Sequence, residues 1–465
     1  MQSFVKKYSI FLMLYIVFQP ILDSITGLMM RMHIDITFGV LIRMAVMAVT
    51  VFYLLIYLIL NRDNKKGFMI IGYFVLLALM SVISLVVNIK AKTLFVPSLE
   101  LTTLAKSLYY PVMLLAYFYA FEELAEDRII NRFFPKVIFY AVNIVSVIMI
   151  IAHFTNSSFS SYSYYKLGES GWFFAANELS AIVSITFPIM IWYALEKINV
   201  WTRIYYWITV ILAIYSALLI GTKGSLIAII FGICMGILSA VIQLFRHGTN
   251  KKLMALLAGV LVVTLGGIFL AYPAMAVSRT AELHTEMIKD KKRKAKTKKG
   301  LTKDQKKYVK TNKTISYLLS GRTIYFENAS HNFSKATPAQ KIFGMGYATN
   351  FKKIKNAKLV EMDYIDIFFQ FGFLGTIVYM APLIYCLIYL IGAFFMKFKY
   401  MWSFKWALLV ASVSLGFGMA LLTGHVIEAP SVSIYFVSIL AYAMFNARIF
   451  LRTNGNPDTI GVNDY

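Results

Sequence analysis

The sequence predicts an all-α, polytopic membrane protein of about twelve transmembrane helices with one long loop between them. Three observations carry that expectation. Of the 465 residues, 59% are hydrophobic and only 15% charged, whereas soluble domains run at about 45–50% and ~25%, so too little charge is present to wet a surface on all sides. Apolar runs of about 20 residues, each long enough to cross ~30 Å of hydrocarbon, recur from one end of the chain to the other. None of them alternates over ~10 residues as the strands of an outer-membrane barrel do. A soluble enzyme, a disordered chain and a barrel are excluded together.

In chain order the apolar spans fall at about 8–30, 34–60, 67–88, 104–122, 133–153, 176–195, 204–221, 224–245, 253–277, 363–395, 406–423 and 431–448. The fourth is interrupted by Lys106 and Pro111; the last two are short but unbroken. This divides the chain into nine spans over 1–277, a basic loop over 278–362, three spans over 363–450 and a tail over 451–465. No internal repeat shows, nor the paired broken helices of transporter halves. Cys234 and Cys386 both lie in apolar runs and the six histidines are scattered, so neither a disulfide framework nor a metal site is expected, and no cofactor. Met1–Lys7 leads into an apolar span without a small-residue cleavage site, so a removed leader is not expected either.

The loops orient the spans. With the N-terminus cytoplasmic, the short inner segments hold eighteen Lys/Arg, from Lys6 and Lys7 through Arg128 and Lys397 to Arg452. The short outer ones hold only Arg31, Lys90, Lys92, Lys106, Lys166 and Lys223. That is a positive-inside pattern with both termini inside. The long basic loop then falls outside, which the rule permits because long loops translocate largely regardless of charge. Arg279–Lys358 alone carries 21 Lys/Arg against five acidic residues, two thirds of the net +24 of the chain. In a membrane protein such a run, densest over 289–313, suits anionic lipid or a polyanionic glycan better than nucleic acid. Its bland reading is a solvated face.

Ionisable groups at the edge of an apolar layer are expensive and mark sites. On the expected outer side they gather from distant segments. Asn177 and Glu178 follow GESGWFFAA, Lys223 lies in GTKG, and Arg322 and Tyr325 lie in SGRTIYF. Glu361, Asp363 and Asp366 open the tenth span, and His425 lies in TGHVIEAP. Each has a plain alternative. Lys223 could snorkel, Arg322 could pair with Glu327 on the surface, Asn177 or the carboxylates could only cap helices, and His425 could be a turn residue. Spacing places Asp366 one helical turn from Asp363, so one acid of the set should face inward. The pair His331-Asn332 reads as a solvated loop histidine.

The order of these pieces resembles the superfamily of O-antigen ligases and O-antigen polymerases, membrane glycosyltransferases that use polyprenyl-diphosphate-linked glycans. GWFFAANELSAI enters a span, GTKGSLIA forms a short outer turn, and a long loop ends in SGRTIYF; IFGMGY, VEMDYIDIFFQFGFLG and TGHVIEAP follow. The likeness covers about 165–435. The ligase pattern places a histidine eleven residues before a Gly-x-x-Gly. Counting back from Gly372 and Gly375, that position is Glu361 with Met362 after it, and His331 fails the same count because Ile342 and Met345 stand where the glycines should. A carboxylate in that place is closer to the polymerases of Gram-positive wall and capsule polysaccharides. Lys223 also stands where the family commonly has Arg, keeping the charge but losing the bidentate fork.

The resemblance implies a GT-C-like all-helical glycosyltransferase in the cytoplasmic membrane of a bacterium, its site facing outward. It would extend or transfer a glycan on undecaprenyl diphosphate without metal, with Arg322 and Lys223 on the diphosphate. Glu361 would be the general base, with Asp363 second in line, and Asn177, Glu178, Tyr325, Asp366 and His425 would line the substrate. A ligase handing finished polymer to a lipid or wall acceptor uses the same chemistry. A lipid-glycan flippase or secondary transporter would need charges near the midplane of many helices, and here Arg43 is the main one.

Overall fold

The computed structural model describes residues 1–34, 38–60, 64–125, 130–162, 167–196, 205–246, 250–283, 286 and 322–452. The Lys-rich stretch 289–313, Lys166 and the tail from 453 onward lie outside the described residues. A helix occupies each of the twelve expected places. First come α1 (Gln2–Arg31), α2 (Phe38–Leu60), α3 (Asn64–Ala91), α4 (Pro97–Leu124), α5 (Ile130–Phe154), α6 (Ala176–Leu195), α7 (Tyr205–Ile220), α8 (Lys223–Leu244) and α9 (Lys251–Ala271). The short α10 (Arg322–Ser334) and α11 (Pro338–Phe343) follow, then α12 (Asp363–Met396), the single turn α13 (Phe398–Met401), α14 (Phe404–Leu422) and α15 (Pro430–Arg452). One antiparallel hairpin, β1 (Ser160–Tyr162) and β2 (Leu167–Glu169), precedes α6.

Among the described residues, ten of these helices are, by length and composition alone, long and apolar enough to cross a membrane. The two that fall short do so for different reasons. α7 has 16 residues, and α4 carries Glu100, Lys106, Glu122 and Glu123. Both are nevertheless integral to the bundle, α4 lying along α15 and α7 against α5 and α6. The most apolar windows of α6 and α15 are 94% and 83% buried, against 17% in α3 and 22% in α9. The first two are therefore the centre of the bundle, while α3 and α9 turn apolar side chains outward, the membrane-facing pattern of an all-α polytopic protein.

Small residues let the central helices approach. A Cβ on Gly416 of α14 would lie 2.3 Å from the ring of Phe436 in α15, so that contact requires glycine. Hydroxyls inside α6 bond back along their own helix, Ser184 to the Ser180 carbonyl (2.7 Å) and Thr186 to that of Ile182 (2.6 Å). That satisfies them without water.

One irregular feature sets the shape of the site end. Gly372 breaks α12 with φ 69° and ψ −171°, which frees carbonyls of the preceding turn. The IFGMGY loop supplies the donors: Met345 N–H bonds Phe369 O (2.9 Å) and Gly346 N–H bonds Gln370 O (3.1 Å). The fit is tight enough that a Cβ on Gly344 would fall 1.9 Å from Gln370 O. On its other side the loop is tied to α3 and α4. Asn88 donates to Gly344 O (3.1 Å), Lys92 Nζ to Tyr347 O (3.0 Å), and Tyr347 N–H donates to Glu100 Oε2 (2.8 Å). Lys92 and Glu100 also form a buried ion pair. This pair explains why α4 begins at Pro97, seven residues before the apolar run: Glu100 is buried among loop donors, not left in water.

Replacing Glu100 by Ala leaves Lys92 buried and uncompensated, a loss of about 3–5 kcal/mol for a broken buried pair. Limited proteolysis of the detergent-solubilised protein should show faster cleavage at 344–351. The double change Lys92→Met with Glu100→Leu should restore much of the protection.

Candidate active site

Two tight turns meet at one end of the bundle. The first, residues 360–363, leads into α12; Glu361 sits in it with φ +64°, a left-handed conformation that is uncommon and strained for a residue with a side chain. Asp366, one turn into the helix, accepts from Val360 N–H (2.8 Å) and Met362 N–H (3.0 Å) and so holds that turn. The second, residues 423–429, joins α14 to α15, with Gly424 at φ +66° and His425 at φ +61°. A Cβ on Gly424 would lie 2.7 Å from the carbonyl carbon and oxygen of Glu361, so the two turns touch backbone to backbone. Asp363 binds them together. Its Oδ1 accepts from His425 N–H (2.7 Å), and its Oδ2 from Val426 (2.8 Å) and Ile427 (2.7 Å).

That arrangement gives the two acids proposed as base from the sequence different surroundings. Asp363 is 2% exposed and both its oxygens are committed to three backbone donors; it anchors a loop. The side chain of Glu361 is 43% exposed. Asp366, 6% exposed, is likewise committed to backbone, so two acids of the set face inward where the spacing led to one being expected.

Arg322, the first residue of α10, enters beside these turns. Its guanidinium donates to Leu422 O (3.3 Å) and Thr423 O (3.2 Å) at the end of α14. A cation is favoured there by the carbonyl end of the helix. The same Nη2 lies 3.4 Å from Glu361 Oε2. The alternative surface pairing with Glu327 is thus replaced by a pairing with Glu361, and the side chain is 10% exposed. Its Nε–H, like the hydroxyl of Thr323, is buried without a hydrogen-bond partner among the described residues. Tyr325, three residues on, has the Lys358 ammonium 5.5 Å from its ring centroid.

Lys223 is the first residue of α8. Thr222 caps that helix, its hydroxyl accepting from Ser225 N–H, and donates to Ser180 Oγ (2.7 Å). A lysine at the positive end of a helix opposes the macrodipole, while a helix N-terminus and an ammonium together suit an anion. A Cβ on the neighbouring Gly224 would be 3.1 Å from Met419 Cε, and Met419 O accepts from Thr423 N–H (2.8 Å). The start of α8 at Gly224 and the guanidinium of Arg322 therefore both meet the end of α14. Asn177 is the second residue of α6, whose cap is Ala175, so the capping alternative for Asn177 does not hold. Glu178 accepts a hydrogen bond from Ser431 at the start of α15. His331 is exposed on α10, and Asn332 donates to Thr349 Oγ1 (2.9 Å).

Two features escaped the sequence reading. Glu428, in the same turn as His425, has a buried Oε1 without a partner among the described residues. Burial, then Asp366 and Asp363, hold its carboxyl well above the usual range, with Lys106 opposing. No signal short of the fold brings Asp363 and Asp366 near it. The other is the Lys92–Glu100 clamp, which seats the loop between α11 and the site.

A helical bundle of this kind, with cations and one accessible carboxylate framed by turns at one end, defines a polytopic membrane protein with a polar site at the edge of its apolar layer. Residues 5–449 match the family described as O-antigen ligase like membrane protein, and the chain belongs to that family. Membership supports a membrane glycosyl-transferring or ligase-type function. No curated protein matches the chain.

Asp363→Ala removes three charge-assisted acceptor contacts, each worth about 1.5–3 kcal/mol. Hydrogen exchange at the amides of 425–427 should accelerate by at least ~10-fold, while protection in the middle of α15 is retained.

Proposed function

We propose that the protein is a glycosyltransferase that extends glycans carried on undecaprenyl diphosphate at the outer face of a bacterial cytoplasmic membrane. The observation that carries the reading is the contact of Arg322 with Glu361, 3.4 Å apart, one side chain nearly buried and the other accessible. A single geometry thus offers an anchored guanidinium for a phosphate and, beside it, a carboxylate that an incoming hydroxyl can reach. The charge asymmetry of the short loops supports the orientation, with both termini cytoplasmic, and supports treating 278–362 as an outer segment over the site.

In this reading the diphosphate of the donor lies against Arg322 and Lys223. The acceptor sugar hydroxyl attacks the anomeric carbon, forming the new C–O bond. Its proton passes to Glu361, and the bond from that carbon to the diphosphate oxygen breaks with its electron pair leaving on the lipid diphosphate. A direct displacement of this kind inverts the anomeric centre. The leaving group gains negative charge as the bond stretches, so preplaced cations stabilise the transition state more than the bound substrate. Arg322 is suited to this because a planar fork matches phosphate oxygens. The strained φ of Glu361 and the buried anchors Asp363 and Asp366 keep the base at a fixed place relative to that guanidinium. His425, Tyr325, Asn177 and Glu178 are proposed to line the sugar path, and the Lys-rich stretch 289–313 to attract anionic lipid or a polyanionic glycan. A carboxylate in place of the ligase histidine favours polymerisation over transfer of finished polymer.

The test uses membranes that contain the protein and its lipid-linked substrate. Glu361→Gln should lower the rate of chain growth by ~10²–10⁴-fold, the usual worth of a general base. Arg322→Ala should remove ~10²–10³-fold, as loss of a transition-state donor does, and Arg322→Lys should recover only part of it. Protein levels in the membrane should stay unchanged. A ladder lost altogether marks a polymerase, whereas a ladder retained on the carrier lipid marks a ligase; wild-type product from both variants would remove the proposed site.

A further inference from the structure

A second polar site lies on the same end of the bundle, between the end of α5 and the β1–β2 hairpin. The chain from Asn156 to Ser160 and the strand Gly168–Glu169 enclose an open cleft of ≈ 190 Å³. That is below the ~300–1,000 Å³ of a site for a drug-sized ligand and in scale with one small ring. Its floor is a fixed array. His153 Nδ1 lies 2.8 and 2.9 Å from the two oxygens of Glu169, and Tyr215 OH lies 3.3 Å from Nε2, so the imidazole is held from both sides. The walls are held as firmly, by the ladder bonds of Phe159 with Gly171 and Ser170 (2.8 Å each) and by Gly171 N–H to Ser158 Oγ (3.0 Å).

A pair that served only to tether the hairpin would gain by being closed off. Here His153 and Glu169 remain 29% and 31% exposed at the base of an open cleft. A carboxylate offers about four acceptor positions, more than one imidazole N–H occupies. Asn156, Ser158 and Ser160 add groups that both donate and accept, and the Phe159 ring adds an apolar face. The carboxylate disfavours an anion, and Arg31, its guanidinium 4.3 Å over the Phe159 ring, disfavours a cation. What remains is a neutral, hydroxyl-rich ring.

The place of the cleft says where such a ring would come from. A Cβ on Gly168 would lie 2.4 Å from Ile220 O, and one on Gly221 would lie 3.3 Å from Gly168 Cα. The hairpin is therefore seated directly on the turn that leads through Thr222 into Lys223. We propose that this cleft is a glycan subsite that takes a neutral sugar residue of the lipid-borne chain, beyond the sugar attached to the diphosphate. It rests on the reading that the diphosphate is held at Lys223 and Arg322. The cleft grips the chain away from the reacting carbon, so Glu169 and His153 are binding residues that act on chain length.

Full-length protein in liposomes tests this with two substrates: the multi-sugar lipid diphosphate isolated from the host membranes, and the same carrier bearing one sugar. Glu169→Gln and the cleft-filling Ser160→Trp should raise KM for the first by roughly tenfold, the equivalent of one charge-assisted hydrogen bond. Products should shorten, and kinetics with the one-sugar carrier should not change. Equal loss on both substrates, or no loss on either, overturns the subsite. A binding measurement separates this from the reaction itself. Carrier-free oligosaccharide released from the same lipid should change the fluorescence of Trp172, whose indole donates to Ser157 Oγ at the cleft edge. The change should be saturable in the wild type and in Arg322→Ala, and absent in Glu169→Gln and Trp172→Phe. No saturable change in the wild type rejects the cleft even where transfer proceeds. A saturable change with transfer unaffected by Arg322→Ala keeps the cleft and rejects the reading of the diphosphate site.

Discussion

Inside an apolar bundle each backbone N–H that a helix leaves unused needs an acceptor, because no bulk water is there to supply one. At the site end of this protein the acceptor is a buried carboxylate three times over. Glu100 takes the amide of Tyr347, Asp366 those of Val360 and Met362, and Asp363 those of residues 425–427. All three are less than a tenth exposed. Charge-assisted bonds of this kind are shorter and about twice as strong as neutral ones, and they let three irregular segments meet where regular helices could not.

The strained residues depend on those anchors. Glu361 and His425 both sit at positive φ, a conformation that costs of order 1–3 kcal/mol and persists only where the surroundings over-determine it. Their turns abut through Gly424, where no side chain fits. The result is one accessible carboxylate held against one guanidinium, with the acids on either side withdrawn into structural work. The accessible charge is thus separate from the charges that hold its frame.

The cations follow a related logic. Arg322 completes the carbonyl end of α14, so its position is stabilised before any ligand arrives, while Lys223 stands at the amide end of α8 against the helix field. Arg322 and, beside Lys223, Gly224 meet the last turn of α14, and that helix packs on α6 and, at Gly416, on α15. The packing of the bundle centre and the spacing of the two cations are in this sense one property.

Hydrophobic run length alone determined the class of fold and the place of every long helix, because a run of about 20 apolar residues has few other stable environments. A helix also stands at the two weaker places, α4 and α7, where charge or short described length keeps the run below the usual span. Composition and motif order also indicated the family and collected Arg322, Glu361, Asp363, Asp366, His425 and Lys223, since ionisable groups at the ends of apolar runs are visible in one dimension. Which of those acids is exposed and which is consumed by backbone was not visible, nor was the burial of Glu428, the clamp of Lys92 on Glu100 or the cleft over His153. Asp363 is consumed by amides 62 to 64 positions away, and Glu100 is seated by the amide of Tyr347, 247 positions away. Only the packed bundle brings those partners within 3 Å, and so only the tertiary structure could assign them.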